Sequence, residues 1–379
     1  MFLKDGDNMS TERRLTNSQT MAYQHISQYA SIRRAAAQES IREILQLSNI
    51  PFEIFEAYVS KLHSQARVAM HFHPDRPIAD MKSVAEALLE QGIYKSQFET
   101  QISNGSVSAF PGGARDVWER DLFGGAYQLA GVTHSERPKY GALDVMYHSD
   151  GPSPRFGSCY FLLTLQASYR TTFTYGGSQD YPVVQGTFQE FDDIIAAVLK
   201  DAFFREFTLG ESNLSPRKVL DRLLNASESL ITNRLEQMPS RNLNYFIEAQ
   251  VHGDITLQDD VDILVADPSF QRTVVGNTLE KLCMKYSIDL HWHKGFTIQA
   301  DEVPSDFRGP AMPSLARRIA RENLIDASIV GAAVNDLKRN ADHWSDRGTY
   351  EEVLQELKYM WHVLVRYGKP AQQTRLENV

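Results

Sequence analysis

Apolar positions along the chain repeat with two different periods. Between residues 18 and 62, Met21, Ile26, Ile32, Ile41, Ile44 and Leu45 recur at helix-compatible intervals, with a break at Asn49-Ile50-Pro51 and a restart from Phe52. From residue 67 short strand-like runs take over. One covers 67–73 and stops at Pro74, whose ring removes a ladder donor. Others fall at 138–146, 159–165, 169–175, 244–253, 260–266 and 288–293, rich in β-branched and aromatic residues. Helical patterns lie between them at 84–91 (closed by Gly92), 118–123, 188–204 and 275–286, with a less defined polar helix at 215–237. Residues 304–366 return to helix, with Trp344, Leu354, Leu357 and Trp361 as packing positions. Strands concentrated in the middle and helices at both ends predict an α+β fold. The pattern divides the chain into a disordered tail (1–18), an N-terminal helical lobe (19–64), a core (65–300) and a C-terminal helical region (301–379).

One strand breaks the rule that buried strands are apolar. In 244–253, Ile247, Ala249 and Val251 alternate with Glu248, Gln250 and His252, so the three polar side chains share one face. Burying such a row costs desolvation unless the groups are paired or used. It is therefore a candidate site wall. A purely structural alternative pairs Glu248 with Arg67, Arg76 or Arg155.

Composition narrows the classes. With 379 residues, 42% hydrophobic and 23% charged, the chain has the balance of a globular protein. A net charge of -9 argues against a general nucleic-acid or anionic-membrane binder. No run reaches the ~18 apolar residues of a membrane span, and no secretory signal is visible at the start. Two cysteines, Cys159 and Cys283, both in apolar runs, do not make a disulfide framework and favour a reducing compartment. The expected location is cytoplasmic, or outside the cell through a dedicated export system that reads no cleavable signal.

Several chemistries lack a necessary part. There is no G-x-x-x-x-G-K-[ST] and no G-x-G-x-x-G between a strand and a helix, so the usual phosphate cradles are absent. No G-x-S-x-G occurs, and neither cysteine sits beside an obvious base. His71-x-His73 with Asp75, and His291-x-His293, offer same-face imidazoles for a metal-dependent hydrolase, but without H-E-x-x-H or a matched acidic cluster. That hydrolase is the alternative enzyme reading. A non-catalytic ligand- or partner-binding protein is the alternative outside enzymes.

What remains is a distributed set: His71, His73 and Arg76 after an early strand, Tyr94-Lys-Ser-Gln-Phe-Glu99 and Ser103-Asn-Gly105 in the middle, and Glu248 on a late strand. This order resembles the ADP-ribosyltransferase superfamily, in which an early His or Arg, a middle Ser or Tyr and a late Glu surround NAD. The blocks HFHPDR (71–76), YxSQFE (94–99), RPKYGA (137–142), RFGS (155–158) and EAQVHG (248–253) are also similar to those of a largely uncharacterised bacterial protein family. The superfamily resemblance implies a split β-sheet core at 65–300 and NAD as substrate. It implies Glu248 and Gln250 as catalytic residues, and His71, His73, Arg76, Ser96, Gln97, Glu99, Arg155 and His252 as NAD-binding residues, with no metal. It further implies transfer of ADP-ribose to an unidentified acceptor protein, as bacterial effectors and toxins do, ubiquitin being one target of that chemistry. Position 246, two before the glutamate, is Phe rather than the acidic residue many protein-modifying members carry. Read from residue alone, Ser96 and Glu99 serve equally as a helix cap, and Tyr140 as a core aromatic.

Overall fold

A computed structural model describes residues 15–78, 80–101, 109–226 and 231–371. Its centre is an eight-stranded sheet of β1 (Arg67–Phe72), β2 (Lys139–Asp144), β3 (Cys159–Leu163), β4 (Thr171–Tyr175), β5 (Gln185–Thr187), β6 (Ile247–Val251), β7 (Val261–Ala266) and β8 (Asp289–Trp292), in the order β8-β7-β3-β1-β2-β6-β4-β5. Neighbours are antiparallel except β7 and β8. Parallel neighbours need a crossover, and the helix at Val274–Tyr286 provides it. The fold is thus α+β with a mixed central sheet flanked by helices. Hydrogen-bonded pairing runs through all eight strands, with one register shift at Val261/Ile263, and the ladder is not split.

Helices of eight residues or more are α1 (Asn17–Leu47), α2 (Phe52–Gln65), α3 (Val84–Gln91), α4 (Ala114–Leu122), α5 (Asp192–Arg205), α6 (Pro216–Leu224), α7 (Val274–Tyr286), α8 (Met312–Ile319), α9 (Ala327–Arg339) and α10 (Tyr350–Tyr367). Helix α1 starts inside the expected tail. Thr16 and Gln19 form a capping box that satisfies two orphan donors, and Ser18 is buried with its hydroxyl donating to Glu136 at 2.7 Å. Residues 1–14 lie outside the described residues. The buried stripe of α1 is Ala22, Ile26, Ala30, Ala37, Ile41, Ile44 and Leu45, whereas Ile32 faces solvent. Helix α5 begins at Asp192 rather than at 188, because Thr187 and Glu190 close a turn first, with Glu190 N–H on Thr187 Oγ1 at 3.1 Å.

The main hydrophobic cluster runs from Ala37 in α1 through Phe72, Phe161 and Ala249 in the sheet to Leu357 and Trp361 in α10. The helical regions at the two ends therefore share this core with the sheet, and the first turns of α1 add a smaller cluster of Ala22 and Ile26 with Leu122, Phe123, Ala126 and Tyr127. The apolar strand face has to be covered, and the terminal helices supply the cover. No helix among the described residues is long and apolar enough to cross a membrane.

Candidate functional site

The polar row is where the alternation puts it. Ile247, Ala249 and Val251 enter the core, and Glu248, Gln250 and His252 occupy the opposite face of β6. Register then decides the neighbours. Glu248 pairs with Ala142, and Ala142 with Ala69, so the three lie in one row across β6, β2 and β1. His71 stands two residues further along β1 on that same face. Only β2 separates the strand bearing Glu248 from the strand bearing His71.

Both residues open into one cleft of about 270 Å³, which His73, Arg76, Gln97 and Arg155 also line. Glu248 is 6% exposed. Its Oε1 accepts the backbone N–H of Ser178 and the amide of Gln250, each at 3.1 Å. Burial raises its pKa, while those hydrogen bonds and the nearby Arg115 pull it back. The carboxylate has no guanidinium ion pair to Arg67, Arg76 or Arg155, so the purely structural pairing is not formed. Gln250 is fully buried and does not line the cleft; its amide reaches Thr174 Oγ1 at 3.2 Å, and its oxygen accepts from Thr172 at 3.0 Å. It orients the carboxylate from behind.

His71 is held with equal economy. Nδ1 faces the Gly157 carbonyl at 3.2 Å, and Nε2 takes the Ser153 N–H at 3.4 Å. Burial pushes the imidazole down to about 3, so it stays neutral. Gly157 is required here by close approach: a Cβ would meet the Phe72 backbone at 2.3 Å. His73 touches Ser158 Oγ at 3.4 Å and meets Trp361 edge-on at 5.1 Å between ring centroids. Arg155 donates through Nη1 to Asn244 Oδ1 at 2.7 Å and leaves Nε without a partner.

Other expected residues are placed elsewhere. Ser96 and Glu99 form the capping box of a one-turn helix, Gln97–Thr100: Glu99 Oε2 accepts Ser96 N–H at 2.8 Å, and the Ser96 hydroxyl donates to the His134 carbonyl at 2.8 Å. Their work is local, and only Gln97 of that trio reaches the cleft. His252 is fully buried away from it, with Nδ1 on the Tyr127 hydroxyl at 2.5 Å and Nε2 on Thr172 at 3.1 Å. The residues Ser103-Asn-Gly105 lie outside the described residues.

The cleft also holds side chains that were not among the expected site residues, including Tyr140, which was read as a core aromatic. Arg115, 5% exposed, lies over Trp118 and Tyr140, its guanidinium carbon 4.7 Å from each ring centroid, with Nε unpaired. The sequence signal for it is faint: Arg115 and Trp118 sit at i and i+3 on one face of α4. Tyr140 lines the cleft while donating to Glu119 Oε1 at 2.8 Å, and Glu119 is held by Arg137 at 2.9 Å. Lys139, also in the lining, donates to the carbonyls of Ser135 and Gly253, at 2.6 and 3.1 Å.

One carboxylate, neutral imidazoles, unpaired guanidiniums and aromatic faces make a pocket suited to an anionic ligand that carries rings. Residues 67–367 match the profile of a family described as protein of unknown function (DUF3626). The chain belongs to DUF3626. Its matched span contains the whole cleft, from His71 to Glu248, together with α10. No curated protein matches this DUF3626 chain. The two HxH pairs do not assemble a metal centre: His293 Nε2 donates to the Ser158 carbonyl at 3.0 Å and Nδ1 accepts Gly295 N–H at 2.9 Å. Among the described residues no three His, Cys, Asp or Glu side chains come together as a ligand set.

Proposed function

We propose that the chain is a mono-ADP-ribosyltransferase of the bacterial effector or toxin type, which cleaves NAD in this cleft and passes ADP-ribose to an acceptor protein. The observation that carries the proposal is the convergence of Glu248, Arg155 and the His71–Arg76 block on one cleft from three separate parts of the chain. The donor set suits the substrate. Arg76, Arg115 and Arg155 offer positive charge to a pyrophosphate, and Tyr140 and Trp118 offer faces to its rings.

The chemistry asks for one fixed carboxylate. As the bond between ribose C1′ and the nicotinamide nitrogen breaks, its electron pair leaves with nicotinamide and positive charge builds on the sugar. Glu248 sits as a preorganised anion for that charge, held by Ser178 N–H and Gln250 so that it need not reorganise. No acid is needed for departure, because nicotinamide leaves neutral. An acceptor side chain then bonds to C1′ and its proton passes to solvent, so that NAD and the acceptor yield the ADP-ribosylated acceptor, nicotinamide and one proton. A neutral His71, with both ring nitrogens held by the 153–157 turn, walls the cleft without adding repulsive charge beside the developing cation.

Incubation with labelled NAD and cell lysate, wild type against Glu248→Gln, tests the reading. The expected result is protein labelling that falls by about 10²–10³-fold in the variant, the usual effect of losing one such electrostatic contact. Labelling that survives in Glu248→Gln removes the assigned role of the carboxylate. Calorimetry showing no NAD binding removes the class, and binding without turnover in any lysate leaves a ligand-binding protein instead.

A further inference from the structure

Helix α10 reaches the cleft through Trp361, whose indole N–H donates to the Pro154 carbonyl at 2.9 Å. That bond sets the adjoining face of α10 beside Arg155. Lys358 and His362 stand at i and i+4 on this face, and Arg308 comes in from the segment before α8, over the rings of Phe307 and Tyr359 at 5.2 and 5.4 Å. Lys358 feels Arg155, Arg308 and Arg76, while His362 feels Arg308, Arg155 and Lys358 and is itself felt by His73. Asp180 is the carboxylate felt by Arg155.

Four basic side chains crowd together here in a protein of net charge -9. Among the described residues none of Arg155, Arg308 and Lys358 has an ion pair within 4 Å, although Arg347 next door pairs with Glu356 at 2.7 Å. Nε of Arg155 and of Arg308 are buried without a partner. His362 is 1% exposed, with neither ring nitrogen hydrogen-bonded. Buried polar atoms without partners are rare, and like charges gathered without a counter-ion are costly. Both are explained at once by an anion that arrives from outside.

We infer that Lys358 and His362 of α10, together with Arg308 and Arg155, form a binding site for a phosphoryl group at the edge of the cleft. A compact tetrahedral dianion matches the set: two guanidiniums to fork onto oxygens, one ammonium and one imidazole to complete the shell. Arg155 lines the cleft while Arg308, Lys358 and His362 do not. The phosphoryl group therefore comes either from a dinucleotide extending out of the cleft or from a second molecule, such as a phosphorylated acceptor. The site rests on the charge cluster alone and stands whether or not Glu248 cleaves NAD.

Inorganic phosphate is the probe, titrated into the full chain by calorimetry and thermal unfolding against chloride at equal ionic strength. The expected result is saturable binding and a raised unfolding temperature in wild type and in Glu248→Gln. Lys358→Gln and Arg308→Gln each weaken phosphate binding by about tenfold, and Lys358→Arg retains it. Relief of repulsion raises the unfolding temperature of Lys358→Gln without phosphate, whereas a merely structural lysine would lower it. Wild type that ignores phosphate, or binding undiminished in both charge-removing variants, overturns the site. Saturating ADP-ribose then separates the sources: loss of the phosphate effect assigns the group to the dinucleotide, and persistence assigns it to a second molecule.

Discussion

At the level of single residues, the proposed activity turns on how a buried carboxylate is kept ionised. Glu248 has a raised pKa because burial disfavours its charge, and Ser178 N–H, the Gln250 amide and Arg115 each favour the charged form. Activity that needs the anion should rise with pH through that pKa and reach its plateau above it. Replacing Arg115 by Gln removes one stabilising charge, so the acidic limb of the kcat/KM profile should move to higher pH. A limb that stays in place would show that Arg115 does not act on Glu248. The buried pair below the cleft gives a stability counterpart. Arg137 bridges Asp116 at 2.6 Å and the fully buried Glu119 at 2.9 Å. Arg137→Leu strands Glu119 and should destabilise by about 3–5 kcal/mol in urea unfolding.

At the level of elements, the cleft depends on contacts between segments far apart in sequence. The turn at 153–157 supports His71 from two sides, through Ser153 N–H and the Gly157 carbonyl, and receives α10 through Trp361. Gly157→Ala would drive a methyl into the Phe72 backbone, where only 2.3 Å is free. The turn must then move away from β1, with an expected loss of about 1–3 kcal/mol by the usual cost of overpacking. Ligand affinity should fall with it, because His71 loses its fixed orientation. Wild-type stability together with wild-type affinity in this variant would contradict the role given to the turn. Element boundaries illustrate why local pattern gave only part of this. Helix α1 was legible from its apolar spacing, but Ile32 fits that spacing and is exposed, since the face is chosen by what α1 lies against. Ser96 and Glu99 carry the S-x-x-E signature of a capping box, and that local chemistry is what they do.

For the whole molecule, buried titratable groups oppose one another across the pH range. His71 and His252, pushed down to about 3, stay neutral in the fold but bind protons when unfolded below about pH 6.5. Each therefore removes about 1.4 kcal/mol of stability per pH unit as pH falls from 6.5 toward 3. Asp75 and Glu119, pushed up to about 7 by burial, act in the other direction: their contribution is present below about pH 4 and is lost as pH rises through 7. The two sets offset each other between pH 4 and 6.5. Below pH 4 the contribution of Asp75 and Glu119 is constant, while the histidines, joined by carboxylates held low such as Glu136 (pushed down to about 2), go on removing stability. Stability measured by urea unfolding should fall steeply there, and His252→Gln should flatten the fall by one proton's worth of slope. An unchanged slope would contradict the burial of a neutral His252.

The sequence by itself determined the α+β class, the strands carrying His71 and Glu248, and the polar face of β6, because these follow from side-chain period along a continuous stretch of backbone. Spacing also singled out Glu248 as the carboxylate with no local excuse for burial. Only the tertiary structure decided which polar groups meet. Strand order put β2 alone between β1 and β6, register put Glu248 on the face of His71, and packing brought Arg115 and Arg155 to the same cleft while turning Gln250 and His252 away from it. Of the phosphoryl site on α10 the chain singled out only Arg155, whereas Arg308, Lys358 and His362 are ordinary basic residues far from it in sequence. Their charge becomes informative only when folding removes the water and counter-ions that would otherwise screen it.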